Sequence, residues 1–175
     1  MLPSARKKYN TGFTQAAYES FLNDVNTAYG EACTFRISET PVFVPKFLKE
    51  KLLQGVAEIT DELVKPDFRA RSEAAIPQNV RVPNEDPYPV FLQLDFGICE
   101  GEDGGLTPQL IEMQGFPSLY FFQHLLARSY RGNFDIPADF HHLFGGLDNE
   151  GYVELMRKTI VGDSKPERVV LLEVE

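Results

Sequence analysis

Apolar residues recur at helical spacing in two segments of the N-terminal half. In residues 13–29 they fall about four positions apart, and Gly30 follows as a stop signal. Residues 47–63 repeat the pattern, with charged side chains on the opposite face and Pro66 close behind. The spacing predicts two amphipathic helices, each with one face buried.

Other apolar runs lack this spacing. Residues 33–38 and 42–44 are short and bordered by prolines, so we expect extended segments there. Residues 65–89 contain five prolines and little periodicity, which predicts a long connection with at most one short strand at 80–82. The run 168–174 has four consecutive Val and Leu residues, which is typical of a strand covered on both faces.

A β-hairpin is predicted in the middle of the chain. Residues 90–98 are rich in strand-forming residues, 100–105 are acidic and glycine-rich, and 109–113 form a second apolar run. Together they indicate two antiparallel strands joined by a loose acidic turn.

Two further helices are predicted in the C-terminal half. The first begins near Pro117, a residue favoured in the first turn of a helix, and runs to about Arg131. The second spans 148–161, with Asp148 as its N-cap and Gly162 as its stop.

Composition narrows the class of protein. The 175 residues are 43% hydrophobic and carry a net charge of −9, so a packed core is expected, and binding to nucleic acid or to an anionic membrane is disfavoured. No stretch resembles a signal peptide or a membrane span. Cys33 and Cys99 are expected to be two buried thiols in a reducing cytoplasm, with a disulfide or a metal site as the open alternatives.

The hairpin carries the one concentration of chemical groups. Glu112 and Gln114 share a face of the second strand, and Asp95 of the first strand comes opposite them if the register allows. Two carboxylates and an amide oxygen suit Mg²⁺, which takes one or two carboxylates and completes its shell with water and substrate phosphates. The alternative is that these residues form only the solvated face of the hairpin.

These residues lie in a recognisable sequence pattern. Residues 92–96 (LQLDF) followed by 112–118 (EMQGFPS) resemble the ATP-grasp pattern R-x-D-F … L-[IV]-E-x-N-x-x-P-[GS]. The resemblance implies that Asp95, Glu112 and Gln114 bind Mg²⁺ and, through it, ATP. It also implies an α/β (α+β) fold, with an ATP-grasp-like antiparallel sheet flanked by helices.

The order of the elements is similar to that of circularly permuted ATP-grasp proteins related to glutathionylspermidine synthetase. The resemblance implies a partial ATP-grasp-like domain in residues 1–162, with its metal-binding hairpin at 90–114. Residues 163–175 would begin a following α/β substrate-type domain, so we expect a truncated piece, the N-terminal part of a longer protein. The implied activity is that of an ATP-dependent ligase, which joins a small-molecule carboxylate to an amine through an acyl phosphate. We expect this fragment alone to be inactive.

Departures from the family pattern favour a second hypothesis. Gln93 stands where the family has Arg, Gln114 stands where it has Asn, and no glycine-rich loop or pair of strand lysines is found. A catalytically degenerate ATP-grasp-derived binding module would explain these changes. A third hypothesis, a phosphoesterase that uses Asp95, Glu112 and the histidines, lacks a second cluster of metal ligands.

Four charged residues outside the hairpin are weaker candidates for substrate binding. Arg36 and Glu39 could line a cleft beside Pro41, or form a local ion pair. Arg69 and Arg71, placed in the proline-rich connection, could supply the missing phosphate-binding cation.

The three histidines are not expected to bind a metal. His141 and His142 are adjacent, so they point in different directions and are expected to pack at a surface or interface. His124, in an apolar helix, is expected to be partly buried and hydrogen-bonded.

Overall fold

A computed structural model of the chain describes residues 2–30, 33–86, 88–116 and 119–171. Within these residues the fold is a mixture of helices and a two-stranded antiparallel sheet, which confirms the α+β class. The helices and strands are α1 Pro3–Gly12, α2 Gln15–Thr27, α3 Lys46–Leu63, α4 Pro66–Ala75, β1 Gln93–Glu100, β2 Leu106–Gln114, α5 Tyr120–Asn133 and α6 Asn149–Val161.

The chain divides into two compact units, each built from two separate stretches of sequence. The hairpin unit consists of Met1–Arg6 and Val42–Ser118, and the helical unit of Lys7–Pro41 and Leu119–Glu175. The domain boundary expected near residue 162 stays a prediction, since residues 172–175 lie outside the described part of the chain.

In the hairpin unit, α3 packs against the β-hairpin. The Phe96 ring packs against Gly55 of α3, since a Cβ atom built on Gly55 would lie 3.5 Å from Phe96 Cε1, an ordinary van der Waals contact. Lys51 donates a hydrogen bond from Nζ to the Leu106 carbonyl oxygen at 3.0 Å. Helix α3 therefore contacts both the apolar face and one edge of the hairpin.

The helical unit has an aromatic core in which α2 packs against α5. Phe21 is fully buried, and its ring stacks on that of Tyr130 with the centroids 4.3 Å apart. Phe134 and Tyr9 pack beside them, with ring centroids 4.9 Å apart. Paired aromatic rings add stabilisation beyond the area that they bury.

Three tyrosine hydroxyls form hydrogen bonds to the backbone of the extended segment 37–39, in place of pairing with a neighbouring strand. Tyr18 donates to the Ile37 carbonyl at 2.6 Å, Tyr9 donates to the Glu39 carbonyl at 2.8 Å, and Tyr130 donates to the Ser38 carbonyl. Burial, the neighbouring Tyr18 hydroxyl and the Glu39 carboxylate raise the pKa of Tyr130 to about 12, so this donor stays protonated.

Several predicted elements differ from the structure. The extended runs 33–38 and 42–44 join no sheet in the described residues. Tyrosine hydroxyls donate to the carbonyls of residues 37–39, and the Leu2 N–H donates to the Phe43 carbonyl at 2.7 Å. The prediction of an irregular connection over residues 65–89 was wrong in part. Pro66 occupies the first turn of α4, where a proline needs no backbone N–H. The expected strand at 80–82 is absent, and Gln78–Val80 is a 3₁₀ turn.

Both ends of the chain also differ from the predictions. Helix α1 was not predicted, and α2 begins one residue after Thr14, whose side chain accepts a hydrogen bond from the Ala17 N–H. Residues 169–171 form no strand, and 172–174 lie outside the described residues. The expected start of α5 at Pro117 also lies outside them.

Three predicted elements are confirmed. Helix α3, the hairpin and α6 occur where they were expected, and Asp148 caps α6 by accepting a hydrogen bond from the Gly151 N–H at 2.8 Å. Cys33 and Cys99 are free thiols, although they are half-buried rather than buried. Among the described residues, none of the helices has the length and apolar character required to cross a bilayer.

The aromatic core gives a test of which contacts hold the helical unit. Phe21→Ala should lower its free energy of unfolding by about 3–5 kcal/mol, since it removes a fully buried ring and leaves a cavity. Urea unfolding can be followed by tyrosine fluorescence, because the chain has no Trp and only Tyr88 of its seven tyrosines lies in the hairpin unit.

The matched control is Phe144→Ala in the same unit, where the ring is 52% exposed and the loss should be far smaller. Equal losses in the two variants would contradict this account of the core.

Candidate functional site

The register of the hairpin brings the predicted ligands to one face. Asp95 of β1 lies directly opposite Glu112 of β2, and Gln93 lies opposite Gln114. Directly paired residues share a face of an antiparallel sheet, and so do alternate residues of one strand. All four side chains therefore project from the same face, with the Cβ atoms of paired residues about 5 Å apart.

A β-bulge makes this arrangement compatible with the apolar pattern of β2. The pairing shifts between Asp95 and Phe96, so Ile111 has no partner across the ladder. Apolar residues of β2 occupy even positions at 106, 108 and 110 but an odd position at Met113. The extra residue absorbs this change of phase, so that Met113 stays on the apolar face and Glu112 on the polar face.

The two faces of the hairpin have different roles. Phe96 lies on the face that meets α3, beside Gly55. By strand alternation, Gln93 and Asp95 lie on the other face, away from that helix. Asp95 is half-buried and Glu112 is exposed, so the cluster is open to solvent and to a ligand.

Each carboxylate is contacted by an amide from its own strand. Gln93 donates from Nε2 to Asp95 Oδ1 at 3.2 Å, and Gln114 donates from Nε2 to Glu112 Oε1 at 2.5 Å. Both amide NH₂ groups thus face the carboxylates. For Gln114 to bind a cation, its amide must rotate to present the carbonyl oxygen, which removes this hydrogen bond.

The donor set suits Mg²⁺ better than a closed structural metal site. Among the described residues, no group of three or more His, Cys, Asp or Glu side chains is arranged to hold a metal ion. An ion at Asp95 and Glu112 would therefore take most of its ligands from water, from an amide oxygen or from a bound phosphate. Mg²⁺ commonly binds proteins in this way.

The residues Arg36 and Glu39 form an ion pair, which was the simpler of the two interpretations. Arg36 Nη2 lies 2.5 Å from Glu39 Oε1, and this contact raises the pKa of the guanidinium and lowers the pKa of the carboxyl group. Both residues belong to the helical unit. A role in substrate binding stays a prediction.

Arg69 and Arg71 lie on helix α4 and not in an irregular loop. The Arg71 guanidinium lies 5.7 Å from the centre of the Phe68 ring, a cation–π contact within one turn of the helix. Both arginines belong to the hairpin unit, and their role as phosphate-binding cations stays a prediction.

Two features of the site were missed in the sequence. Gln93 was treated only as a missing Arg, whereas it lies in the polar cluster and donates to Asp95. The bulge at Ile111 was not anticipated, although the change from even to odd apolar positions along β2 signals it.

Comparison of the chain with protein-family models, with curated proteins and with solved structures found no match. The chemistry of the hairpin is therefore argued from the geometry of its own side chains.

The opposed carboxylates predict that the hairpin is weakened when no cation is present. Like charges directly opposite one another destabilise an antiparallel pair, so Asp95→Asn should stabilise the hairpin by about 0.5 kcal/mol. The asparagine oxygen can still accept the hydrogen bond from Gln93. Amide hydrogen exchange of β1 and β2, measured without divalent ions, reports the change.

Glu102→Gln is the control, because it removes the same charge from the turn, where no residue of the ladder lies opposite it. A stabilisation of the same size in this variant would assign the effect to net charge and not to the Asp95–Glu112 pair.

Proposed function

We propose that the polar face of the hairpin binds Mg²⁺ and, with it, the phosphates of ATP, in a protein of the ATP-grasp carboxylate–amine ligase type. The observation that carries the proposal is the direct pairing of Asp95 with Glu112, with Gln93 and Gln114 beside them on the same face. The match of residues 92–96 and 112–118 to the ATP-grasp pattern supports the same assignment.

Electrostatics explains why a cation would bind at this position. Two carboxylates at directly opposed positions repel each other, and the chain as a whole carries a net charge of −9. A divalent cation removes the repulsion and also brings the anionic phosphates of a nucleotide to an acidic surface. ATP alone would be repelled by this face, so nucleotide binding should depend on Mg²⁺.

Each residue has a separate role in the proposed site. Asp95 and Glu112 hold the ion from the two strands, and Gln114 supplies an amide oxygen after rotation. Gln93 fixes the Asp95 carboxylate by its hydrogen bond, since it carries no charge with which to bind a phosphate. When bound, Mg²⁺ offsets the negative charge of the phosphate oxygens during transfer.

The reaction class is the ATP-dependent joining of a small-molecule carboxylate to an amine through an acyl phosphate. Catalysis of this kind rests on positioning and charge stabilisation, and it needs no protein nucleophile. The side chains of the hairpin match this requirement, because Asp95, Glu112 and the two glutamines can bind and orient but offer no activated nucleophile.

One observation favours a second candidate, a binding module of ATP-grasp origin without turnover. Gln93 and Gln114 already satisfy both carboxylates with amide N–H groups. A cluster that is satisfied without a cation has less to gain from binding one. The phosphoesterase hypothesis has less support, because no second cluster of metal ligands is found among the described residues.

Calorimetry with Mg²⁺ and a non-hydrolysable ATP analogue tests the proposed site. Nucleotide binding should require Mg²⁺, and Glu112→Gln should weaken it at least about tenfold, because the loss of a carboxylate ligand costs more than 1.4 kcal/mol. Glu102→Gln, which removes a charge from the turn of the same hairpin, should bind like the unchanged protein. Equal affinity of all three proteins, or binding without Mg²⁺, would refute the site.

The two candidate functions differ in turnover. Because this fragment alone is expected to be inactive, turnover is measured in the full-length protein. There, a ligase releases ADP when it is given Mg²⁺, ATP, a carboxylate and an amine, and Glu112→Gln abolishes that release while leaving the fold intact. Binding of the Mg²⁺–nucleotide pair with no ADP release across a panel of carboxylates and amines would favour the module.

A further inference from the structure

Two histidines meet in the helical unit. His124 of α5 and His142 of the loop before α6 approach to 3.2 Å between Nδ1 and Nε2. His124 is only 4% exposed, and the ring of Tyr152 from α6 packs against it with the centroids 5.2 Å apart. The expectation that His124 is hydrogen-bonded is confirmed, and its partner is the histidine that was expected to pack at a surface or interface.

A pocket of about 180 Å³ opens beside this pair, at the start of α6. That is far more than the ~15 Å³ that one water molecule needs, so the pocket can hold a small organic anion. Its polar lining is dominated by cationic and imidazole groups, which are Arg128, Arg131, His141 and His142.

Two arginines line the pocket, and a single carboxylate lies beside them. Within the described residues, Arg128 is exposed and forms no ion pair, and Arg131 donates only to the backbone carbonyls of Ile136, Pro137 and Phe140. Asp148, the one acidic residue of the lining, uses its carboxylate to cap α6. The pocket is therefore locally positive on a chain with a net charge of −9.

Burial, and to a smaller extent the surrounding positive charge, lowers the pKa values of both histidines. Burial lowers the pKa of His124, and the Arg128 charge lowers it further. Burial also lowers the pKa of His142, with added effects of His124, Arg131 and His141. Both imidazoles thus resist protonation.

We propose that this pocket binds a small oxyanion, the phosphate or carboxylate group of a metabolite, with Arg128 as its cationic contact and His142 as its hydrogen-bond donor. The first turn of α6 lies beside the pocket at Asn149, and the Asp148 carboxylate caps this end of the helix. This proposal is independent of the hairpin site, since every residue in it belongs to the helical unit.

Anion binding and proton binding are linked in this site. The charged and titratable groups around the histidine pair are Arg128 and Arg131 from α5, His141 from the loop, and Asp148 and Tyr152 from α6. Of these, only Asp148 is acidic, and it is engaged with α6. A bound anion therefore supplies the negative charge that an imidazolium lacks here, and by reciprocity the protonated pair binds the anion more tightly.

Nuclear magnetic resonance of the histidine side chains tests the proposal directly. Sulfate serves as the probe for the phosphate class and succinate as the probe for the carboxylate class, each compared with chloride at equal ionic strength. The bound anion should raise the His142 pKa by about one unit, with a saturating dependence on concentration. A shift with sulfate alone assigns the phosphate class, and a shift with succinate alone assigns the carboxylate class. Shifts no larger than those in chloride would overturn the proposal.

A pair of arginine variants separates the pocket from general charge effects. Arg128→Gln should weaken sulfate or succinate binding about tenfold, as expected when a charge-assisted hydrogen bond is lost. Arg157→Gln, which removes a positive charge that is ion-paired with Glu154 on α6, should leave binding unchanged. Equal losses in the two variants, or none in Arg128→Gln with the fold intact by circular dichroism, would overturn the assignment of Arg128.

The linkage also predicts how the stability of the helical unit depends on pH. Because both histidine pKa values are lower in the folded chain than in the unfolded chain, protonation favours unfolding. Stability should be fully present above about pH 6.5 and should fall as the pH drops below it. Urea unfolding followed by tyrosine fluorescence should show this loss in chloride and a smaller loss in whichever anion binds. An equal loss in all three salts would contradict the linkage.

Discussion

The cross-strand pairing of Asp95 with Glu112 is the constraint on which the candidate site depends. The backbone ladder between β1 and β2 fixes this register, and α3 holds the apolar face of the same hairpin through Gly55 and Phe96. A slip of one residue would turn every side chain of one strand to the other face. The two carboxylates can thus meet only while the apolar residues of the hairpin remain against the helix, which ties the chemistry of one face to the packing of the other.

The bulge at Ile111 shows how the sequence satisfies both faces. Near the turn, the apolar residues of β2 occupy even positions, 106, 108 and 110. Near the site the apolar residue Met113 occupies an odd position. A regular strand would leave one of these sets on the polar face. One inserted residue corrects the phase, and Ile111 itself remains 70% exposed over Gly97, where no side chain opposes it. The polar cluster is therefore built at the cost of one exposed apolar side chain.

Local patterns predicted the elements whose signals are local, and they failed where distant residues decide the structure. Helix α6 was predicted from Asp148 and Gly162 because a cap and a stop act within a few residues. The segment 37–39 could not be predicted, since its backbone partners are the hydroxyls of Tyr9, Tyr18 and Tyr130, and the last of these is 92 positions away from Ser38. The meeting of His124 and His142 likewise depends on how the loop returns to α5, which no periodicity encodes. The prediction that an irregular connection starts at Pro66 failed for another reason: proline occurs both after the end of a helix and in the first turn of one.

The two glutamines of the hairpin determine how much free energy a cation gains by binding there. A hydrogen bond to a charged group contributes roughly 1.5–3 kcal/mol, and an ion bound with a Kd of about 1 mM gains only about 4 kcal/mol in all. Rotation of Gln114 to offer its oxygen gives up one such bond, so it removes a large part of what Mg²⁺ alone would gain at two carboxylates. In the proposed site, the phosphates of a nucleotide would add ligands that the protein does not supply. These ligands would offset the free energy lost with the Gln114 hydrogen bond. A site of this composition should therefore bind the ion and the nucleotide together and should bind the ion alone only weakly, which is the behaviour expected of a nucleotide site and not of a structural metal centre.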